Sequence, residues 1–184
     1  MRRTLTTALA LSLSVSSLAF AESWTITPGS QSMSFSFPSP AGFTNATLNG
    51  FDAEIKFDPA DLGSSSVVAT IDPASFASDQ GNVTSEVRGS DWFDTRNYEA
   101  IVFTGTEFES LGGDSYSVAG ELQIRDLTSP FSFKFDLDID GDAAYFSAEF
   151  PLNRLVAGLG QRDYPNGSQV PEEITINLSF SATK

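Results

Sequence analysis

The residues best suited to hold a metal ion lie in one acidic run. Asp136, Asp138, Asp140 and Gly141 match the first half of an EF-hand calcium loop, which needs oxygen ligands at alternate positions and a glycine at the sixth. The twelfth position is Ser147 and not the glutamate that completes such a loop. The aspartates also alternate with apolar residues, as the solvent-facing side of a β-strand does. The sequence therefore predicts a strand that runs into a turn, and no metal site.

Two missing residue types exclude most catalytic centres. The chain contains no histidine and no cysteine, which excludes the common zinc and copper sites, Ser-His-Asp triads and thiol catalysis. Its 24 acidic residues leave a carboxylate-based hydrolase as an alternative, because a glycosidase needs two carboxylates about 5 to 10 Å apart. Such pairs arise by chance when acids are spread over many strands. We therefore predict a protein that is not an enzyme and requires no cofactor.

Asn153 and Arg154 are the most conspicuous polar pair, at the end of a predicted strand and shortly before Gly158 and Gly160. Arg154 could contact the head group of a ligand, because a guanidinium binds phosphate and carbonyl oxygens well. The other interpretation is a salt bridge between Arg154 and a neighbouring acidic residue. The sequence leaves both interpretations open.

The elements that position these side chains are organised around two runs of strict alternation, residues 116–124 and 131–139. Apolar residues occupy every second position, which predicts two β-strands with one apolar face and one solvent-facing face. A short connection, residues 125–130, joins them, and its Pro130 stands where a strand can begin. Asp140-Gly141 then predicts a tight hairpin turn into a third strand.

Shorter alternating runs predict that the rest of the chain is also all-β and antiparallel, with about eight strands in a barrel or a sandwich. Gly50 is interpreted as a bulge within the second strand. Residues 73–100 lack the alternation, which predicts a short helical insert between the third and fourth strands. The strands are expected around residues 33–37, 48–57, 67–71, 101–108, 116–124, 131–139, 145–152 and 174–180.

The apolar faces are unusually aromatic, because most of the 16 phenylalanines fall at same-face positions. In a sandwich these faces would interdigitate into a dry core. In an eight-stranded barrel the interior is either filled by side chains or holds one small ligand. The candidate residues for an apolar ligand cavity are Phe35, Phe51, Ile55, Phe57, Trp92, Phe93, Ile101, Phe103, Leu122, Ile124, Phe131, Phe133, Phe135, Phe146 and Phe150.

The start of the chain has the pattern of a secretory signal peptide. Arg2 and Arg3 precede an apolar, serine-containing run that ends in Ala19-Phe20-Ala21, a small-x-small cleavage pattern. An uncleaved anchor is disfavoured, because serines interrupt the run and it falls short of the roughly 20 apolar residues of a membrane span. We predict cleavage of residues 1–21, export of the remaining chain and a single domain over residues 22–184.

The charge balance limits the partners. A formal net charge of −14 repels nucleic acid and anionic lipid head groups alike, so we predict no nucleic-acid binding and no stable membrane insertion. The sequence leaves open whether the protein forms a homodimer. In the absence of cysteine, stability must come from burial of apolar surface.

Three segments together resemble the YceI-like family. Residues 119–128, which read Ala-Gly-Glu-Leu-Gln-Ile-Arg-Asp-Leu-Thr and precede three alternating phenylalanines, are similar to its signature segment. Residues 90–94, Ser-Asp-Trp-Phe-Asp, resemble its Asp-Phe-Phe-Asp stretch, and Leu152-Asn153-Arg154 resembles its Ile-Asn-Arg. With Phe51, Phe57-Asp58 and Ile71-Asp72 in matching order, the resemblance extends over nearly all of residues 22–184.

The resemblance implies a periplasmic, lipocalin-like, eight-stranded antiparallel β-barrel without catalytic activity. Its long apolar pore would bind a polyisoprenoid or a similar long-chain amphiphile, for which a quinone tail and a fatty-acyl lipid are further candidates. The alternative to this lipid carrier is a packed-core acidic module for stress protection or protein partners.

Overall fold

The computed structural model describes residues 21–40 and 42–184. The predicted signal peptide, residues 1–21, lies outside the described residues except for Ala21. Eleven strands are described: β1 Glu22–Ile26, β2 Ser32–Ser39, β3 Gly42–Leu48, β4 Phe51–Phe57, β5 Ser66–Ile71, β6 Phe76–Ser78, β7 Ile101–Gly112, β8 Ser115–Ile124, β9 Leu127–Asp140, β10 Ala143–Asn153 and β11 Glu173–Thr183. One α-helix, α1 Gly81–Val87, and two single 3₁₀ turns, Leu62–Ser64 and Pro73–Ser75, complete the described elements.

Eight of these strands close into an antiparallel barrel. The hydrogen-bonded order is β1, β4, β5, β7, β8, β9, β10 and β11, and β1 returns to β11 through Ile26 opposite Ala182. The remaining strands branch from β11 in the order β2, β3 and β6. The predicted all-β, eight-stranded barrel is therefore confirmed, and the sandwich is excluded.

The central hairpin is confirmed with a tighter connection than predicted. β9 begins at Leu127, so only Arg125 and Asp126 separate it from β8, and Pro130 lies inside the strand. Arg125 has a φ of 57°, which is uncommon for a residue with a side chain. Its guanidinium donates to the carbonyl oxygens of Ser90 at 3.0 Å and Gly158 at 2.6 Å, and these contacts hold the turn against two neighbouring loops.

The predicted strand over residues 48–57 is two strands, which corrects the interpretation of Gly50. β3 ends at Leu48 and β4 begins at Phe51, so Gly50 lies in their connection and is no bulge. Its N–H donates to Ser75 Oγ at 3.0 Å, and a Cβ at this position would lie 2.7 Å from Ser75 Cβ. Glycine is needed here because another chain segment packs directly against it.

The helical insert between the third and fourth barrel strands, β5 and β7, is also confirmed. α1 is seven residues long and buries Val83 and Val87. The turns that follow it bury Trp92 and Phe93 against one end of the barrel. We call this the insert end. Among the described helices none is long and apolar enough to span a membrane.

Candidate ligand-binding site

The barrel encloses a cavity of about 180 Å³ that is lined only by apolar residues. Fourteen of the fifteen candidate residues line it, and their role in binding stays a prediction: Phe35, Phe51, Ile55, Phe57, Phe93, Ile101, Phe103, Leu122, Ile124, Phe131, Phe133, Phe135, Phe146 and Phe150. The candidate list missed Trp24, Met33, Leu48, Ala53, Val67, Ala69, Ile71, Phe108, Val118, Leu137, Ala144, Leu152, Ile176, Leu178, Phe180 and Ala182. Most of these share the same alternating faces, so the signal that could have found them was already present in the strand pattern.

The period-two pattern explains why these side chains point inward. Along β9, Phe131, Phe133 and Phe135 line the cavity while Ser132 and Lys134 between them are exposed. β7 keeps its apolar face inward over a longer distance because a register shift between Gly105 and Glu107 changes the phase of the alternation. Phe108 lines the cavity as a result of that irregularity.

Aromatic rings form much of the cavity wall and contact one another. Phe133 stacks on Phe150 with ring centroids 4.5 Å apart, and Phe146 stacks on Phe180 at 4.6 Å and on Phe135 at 5.1 Å. Such ring pairs stabilise a wall beyond the area they bury, and each phenylalanine has only two side-chain torsions to order. The rings therefore form a continuous aromatic part of the apolar wall.

The cavity is elongated along the barrel. On β10 the lining residues run from Ala144 to Leu152, which at about 3.3 Å per residue corresponds to about 26 Å of strand. Barrel strands tilt by roughly 35 to 45° from the axis, so the lined length along the axis is about 20 Å. A long and narrow apolar space suits an extended hydrocarbon chain better than a compact polar molecule.

Trp92 is the candidate residue that does not line the cavity, although its neighbour Phe93 does. Its ring packs on Tyr164 with centroids 6.2 Å apart, and the Arg154 guanidinium lies 5.7 Å from its centroid. A Cβ at Gly160 would lie 2.6 Å from the ring, so Gly160 is needed for the close approach. Trp92 therefore fastens the loop after β10 to the insert.

Arg154 is buried, with 1% of its surface exposed. Its guanidinium hydrogen bonds all go to backbone carbonyls. Its five N–H groups donate to five carbonyl oxygens: Nε to Pro171 at 2.8 Å, Nη1 to Leu159 at 3.1 Å and Gly160 at 3.3 Å, and Nη2 to Asn166 at 2.8 Å and Val170 at 2.9 Å. Among the described residues no acidic side chain forms a salt bridge with Arg154, so the salt-bridge interpretation is wrong. Contact of Arg154 with a ligand head group stays a prediction, and it would require one of these donors to leave its carbonyl oxygen.

The electrostatics of Arg154 follow from this burial. Desolvation lowers the pKa of its guanidinium, and the negative charges of Glu172 and Asp91 partly oppose that shift. Asn153 has a comparable structural role, since its Oδ1 accepts from the N–H groups of Leu155 and Val156 at 3.0 Å each. The predicted head-group pair thus shapes the loop between β10 and β11.

The fold agrees with comparisons to known proteins. A sequence model described as the YceI-like domain matches residues 24–182. The chain belongs to the YceI-like family.

The curated relatives that match this chain include UPF0312 proteins of two bacteria. A UPF0312 protein of Vibrio cholerae is 31% identical over 88 residues, which cover 48% of this chain and 47% of that protein. A UPF0312 protein of Pseudomonas putida is 26% identical over 117 residues, which cover 60% of this chain and 61% of that protein. The matched region thus spans about half to three fifths of these relatives' length.

Solved structures show the same fold. BcnA of Burkholderia cenocepacia is 26% identical and superposes with a TM-score of 0.79, over 86% of this chain and 99% of that chain. A domain of Saccharophagus degradans described as polyisoprenoid-binding, and implicated in plant cell wall breakdown, is 10% identical with a TM-score of 0.67. It covers 87% of this chain and 97% of that chain, a likeness of fold alone.

In this YceI-like barrel the acidic residues lie outside the cavity. Asp136, Asp138 and Asp140 are exposed on the outer face of β9, as the sequence predicted. Within the described residues no three acidic side chains come close enough together to hold a metal ion. The chemistry available in the interior is confined to apolar contact.

Proposed function

We propose that this protein is a non-catalytic binding protein that holds the long chain of an isoprenoid or another lipid-like amphiphile inside its barrel. The observation that carries the proposal is the elongated cavity without a polar lining residue. Burying a polar group without a hydrogen-bond partner is costly, so such a space selects for hydrocarbon. The polyisoprenoid-binding description of the Saccharophagus degradans domain supports an isoprenoid as the first candidate.

An amphiphile bound in this way leaves its head group outside the barrel. The lining carries no charged side chain, and the indole N–H of Trp24 already donates to the carbonyl oxygen of Phe57 at 3.2 Å. The lining therefore offers no free hydrogen bond to a phosphate, a carboxylate or a quinone carbonyl. Affinity would therefore depend mainly on chain length and shape. Polyprenyl lipids, quinone tails and fatty-acyl chains all remain within the proposed ligand class.

The alternatives fit the cavity less well. A packed-core module needs no hollow interior, and a carboxylate-based hydrolase needs two acids facing one reactive centre, whereas the lining contains none. The described chain closes the barrel by itself, so the proposed binding does not need a second copy to complete the interior. Export to the periplasm after cleavage at Ala21 completes the proposal and would give the carrier access to membrane lipids.

The test is direct binding by protein stripped of lipid. Cis-parinaric acid, whose fluorescence rises in apolar surroundings, is titrated into refolded wild-type protein, and a long-chain isoprenol and a quinone are added as competitors. Mass spectrometry of an organic extract of the purified protein identifies any chain that was already bound. We expect saturable binding that long chains displace and short-chain analogues do not. Failure of every long-chain amphiphile to bind would overturn the proposal.

A further inference from the structure

In the β9–β10 seam of the barrel wall the ladder stops while both strands continue. The β1–β4 seam does the same over a shorter stretch, since pairing there covers only Glu22–Trp24 and Ile55–Phe57. β9 and β10 pair from Asp140 opposite Ala143 only as far as Asp136 opposite Ser147. β9 then runs on to residue 127, paired with β8, and β10 runs on to residue 153, paired with β11. We call the space between the facing edges, residues 127–135 and 148–153, the slit.

Both edges of the slit carry a residue that discourages pairing. Pro130 lies in the part of β9 that does not pair with β10, and Pro151 lies in the part of β10 that does not pair with β9. Both prolines are exposed. Proline has no N–H to donate to a ladder and is confined to edges and irregular positions in sheets. Each of the two strands therefore carries a proline that disfavours hydrogen bonding across the slit.

Aromatic rings close the inner side of the slit in place of backbone hydrogen bonds. Phe150 of β10 stacks on Phe133 of β9 with centroids 4.5 Å apart and meets Phe131 edge to face at 5.7 Å. All three rings line the cavity. Rotation of these side chains would join the cavity to the outside without breaking a backbone hydrogen bond of the ladder.

The slit is fastened at both ends. One end is the last rung, Asp136 opposite Ser147. At the other end Arg125 Nη2 donates to the carbonyl oxygen of Gly158 at 2.6 Å, which ties the β8–β9 turn to the loop after β10. Leu127 and Val156, respectively 40% and 64% exposed, give this end an apolar rim.

Packed side chains cover both ends of the barrel. At the insert end Trp92, Arg154 and Leu159 are buried under the loops. At the opposite end Phe57 packs edge to face on Tyr116 at 5.2 Å and on Phe108 at 5.7 Å. A chain entering through either end would have to displace packed loops or a cluster of rings.

We propose that the slit between β9 and β10 is the route by which the apolar chain enters and leaves the cavity, with Phe150 as its gate. This inference rests on the proposed function. Because the slit runs along the strands, a chain can pass through it sideways while its head group stays in solvent. The slit therefore also determines which amphiphiles can load, since a branched or bulky chain must fit between the two strands.

A reversible cross-link tests the route, and the absence of native cysteine makes the labelling specific. Ser132→Cys with Pro151→Cys places thiols on opposite edges of the slit, where the ladder register would pair them if it continued. A bis-methanethiosulfonate reagent then bridges them across whatever gap they leave. The matched control keeps Ser132→Cys and combines it with Ala119→Cys, its partner across the intact β8–β9 ladder.

Stopped-flow uptake of cis-parinaric acid is the measurement. We expect the bridged slit variant to lose its fast uptake phase and to regain it on reduction, whereas the bridged control keeps that phase. Unchanged uptake in the bridged slit variant overturns the slit as the route. Absence of probe binding to wild type would instead overturn the proposed function, so the two failures are distinguishable.

A second pair of variants keeps the test decisive if the bridge does not form. Phe150→Ala removes the gate ring, and Phe146→Ala removes a cavity-lining ring from the paired part of the same strand, opposite Leu137 of β9 and Phe180 of β11. Both variants enlarge the cavity, so both change equilibrium affinity. We expect only Phe150→Ala to accelerate uptake and release, and equal rates in the two variants would contradict a gate at Phe150.

Discussion

Arg154 illustrates how much of the molecule depends on a single side chain. Its guanidinium holds five backbone carbonyls of residues 159–171, so the loop between β10 and β11 is organised around one buried cation. Hydrogen bonds to charged groups contribute more than neutral ones, and a buried carbonyl left without a donor costs free energy. The residue that resembled a ligand contact is a structural centre.

Replacing Arg154 with methionine is expected to lower the free energy of unfolding by at least about 2 kcal/mol, because several buried carbonyls lose their donors. Arg154→Lys should recover only part of that loss, since an ammonium has three donors and no planar fork. Urea unfolding measures both variants. Arg96→Met is the control, because Arg96 is exposed in the neighbouring insert. A loss for Arg154→Met no greater than for the control would contradict the structural role.

The inward and outward positions of β9 offer a second test at the scale of single residues. Phe133→Asp places an unpaired charge in the apolar interior and should prevent folding or lower the melting temperature severely. Lys134→Asp introduces the same residue one position along, on the exposed face, and should leave the melting temperature nearly unchanged. Circular dichroism melts compare the two, and similar melting temperatures would mean that the strand faces are assigned wrongly.

At the scale of elements, alternation was sufficient where strands have one apolar face. It located β2, β4, β5 and β7 to β11, but not β3, whose Thr-Asn-Ala-Thr centre has no apolar stripe to detect. Trp92 and Phe93 lie in turns where no period distinguishes an inward residue from its neighbour. The carbonyl cage of Arg154 has no sequence signal either, since every residue carries a carbonyl and only the folded loop brings these five together.

The β7–β8 pair approaches so closely that one glycine is required. Gly105 lies opposite Gly120. A Cβ on Gly120 would overlap the Thr104 carbonyl oxygen, so no other residue fits here without a shift of the backbone. Gly120→Ala should therefore shift the backbone and cost about 1 to 3 kcal/mol of stability. Gly81→Ala, at a position with open space, should be neutral or slightly stabilising. Guanidinium unfolding that ranks the two variants equally would contradict the close approach.

At the scale of the whole molecule, a hollow interior separates this barrel from a packed one, and the sequence alone did not distinguish them. Closure depends on β1 meeting β11 across more than 150 residues of chain, a contact that no local pattern encodes. The volume left inside depends on how the rings from all eight strands fit together. The apolar strand faces could therefore be predicted from the sequence, whereas the cavity follows only from the folded structure.

Phe103→Trp tests the hollow interior, because the larger ring occupies space that a ligand would use. In the ligand-free protein the melting temperature should stay unchanged or rise, whereas overfilling of a packed core would cost about 1 to 3 kcal/mol. The wild type should gain about 2.7 kcal/mol when ligand is present at 100 times its Kd, and the tryptophan variant should gain much less. Thermal melts with and without cis-parinaric acid measure both effects, and a clear loss of stability in the ligand-free variant would indicate a packed core.

The apolar lining has a mechanical consequence as well. An apolar space of about 180 Å³ offers water no hydrogen-bond partner, so it stays dry when no chain is bound. Hydrostatic pressure favours whichever state has the smaller volume, and unfolding eliminates such a void. The empty barrel should therefore unfold at lower pressure than the loaded one, a difference that high-pressure tryptophan fluorescence can follow. Equal pressure midpoints would mean that the bound chain does not occupy the void.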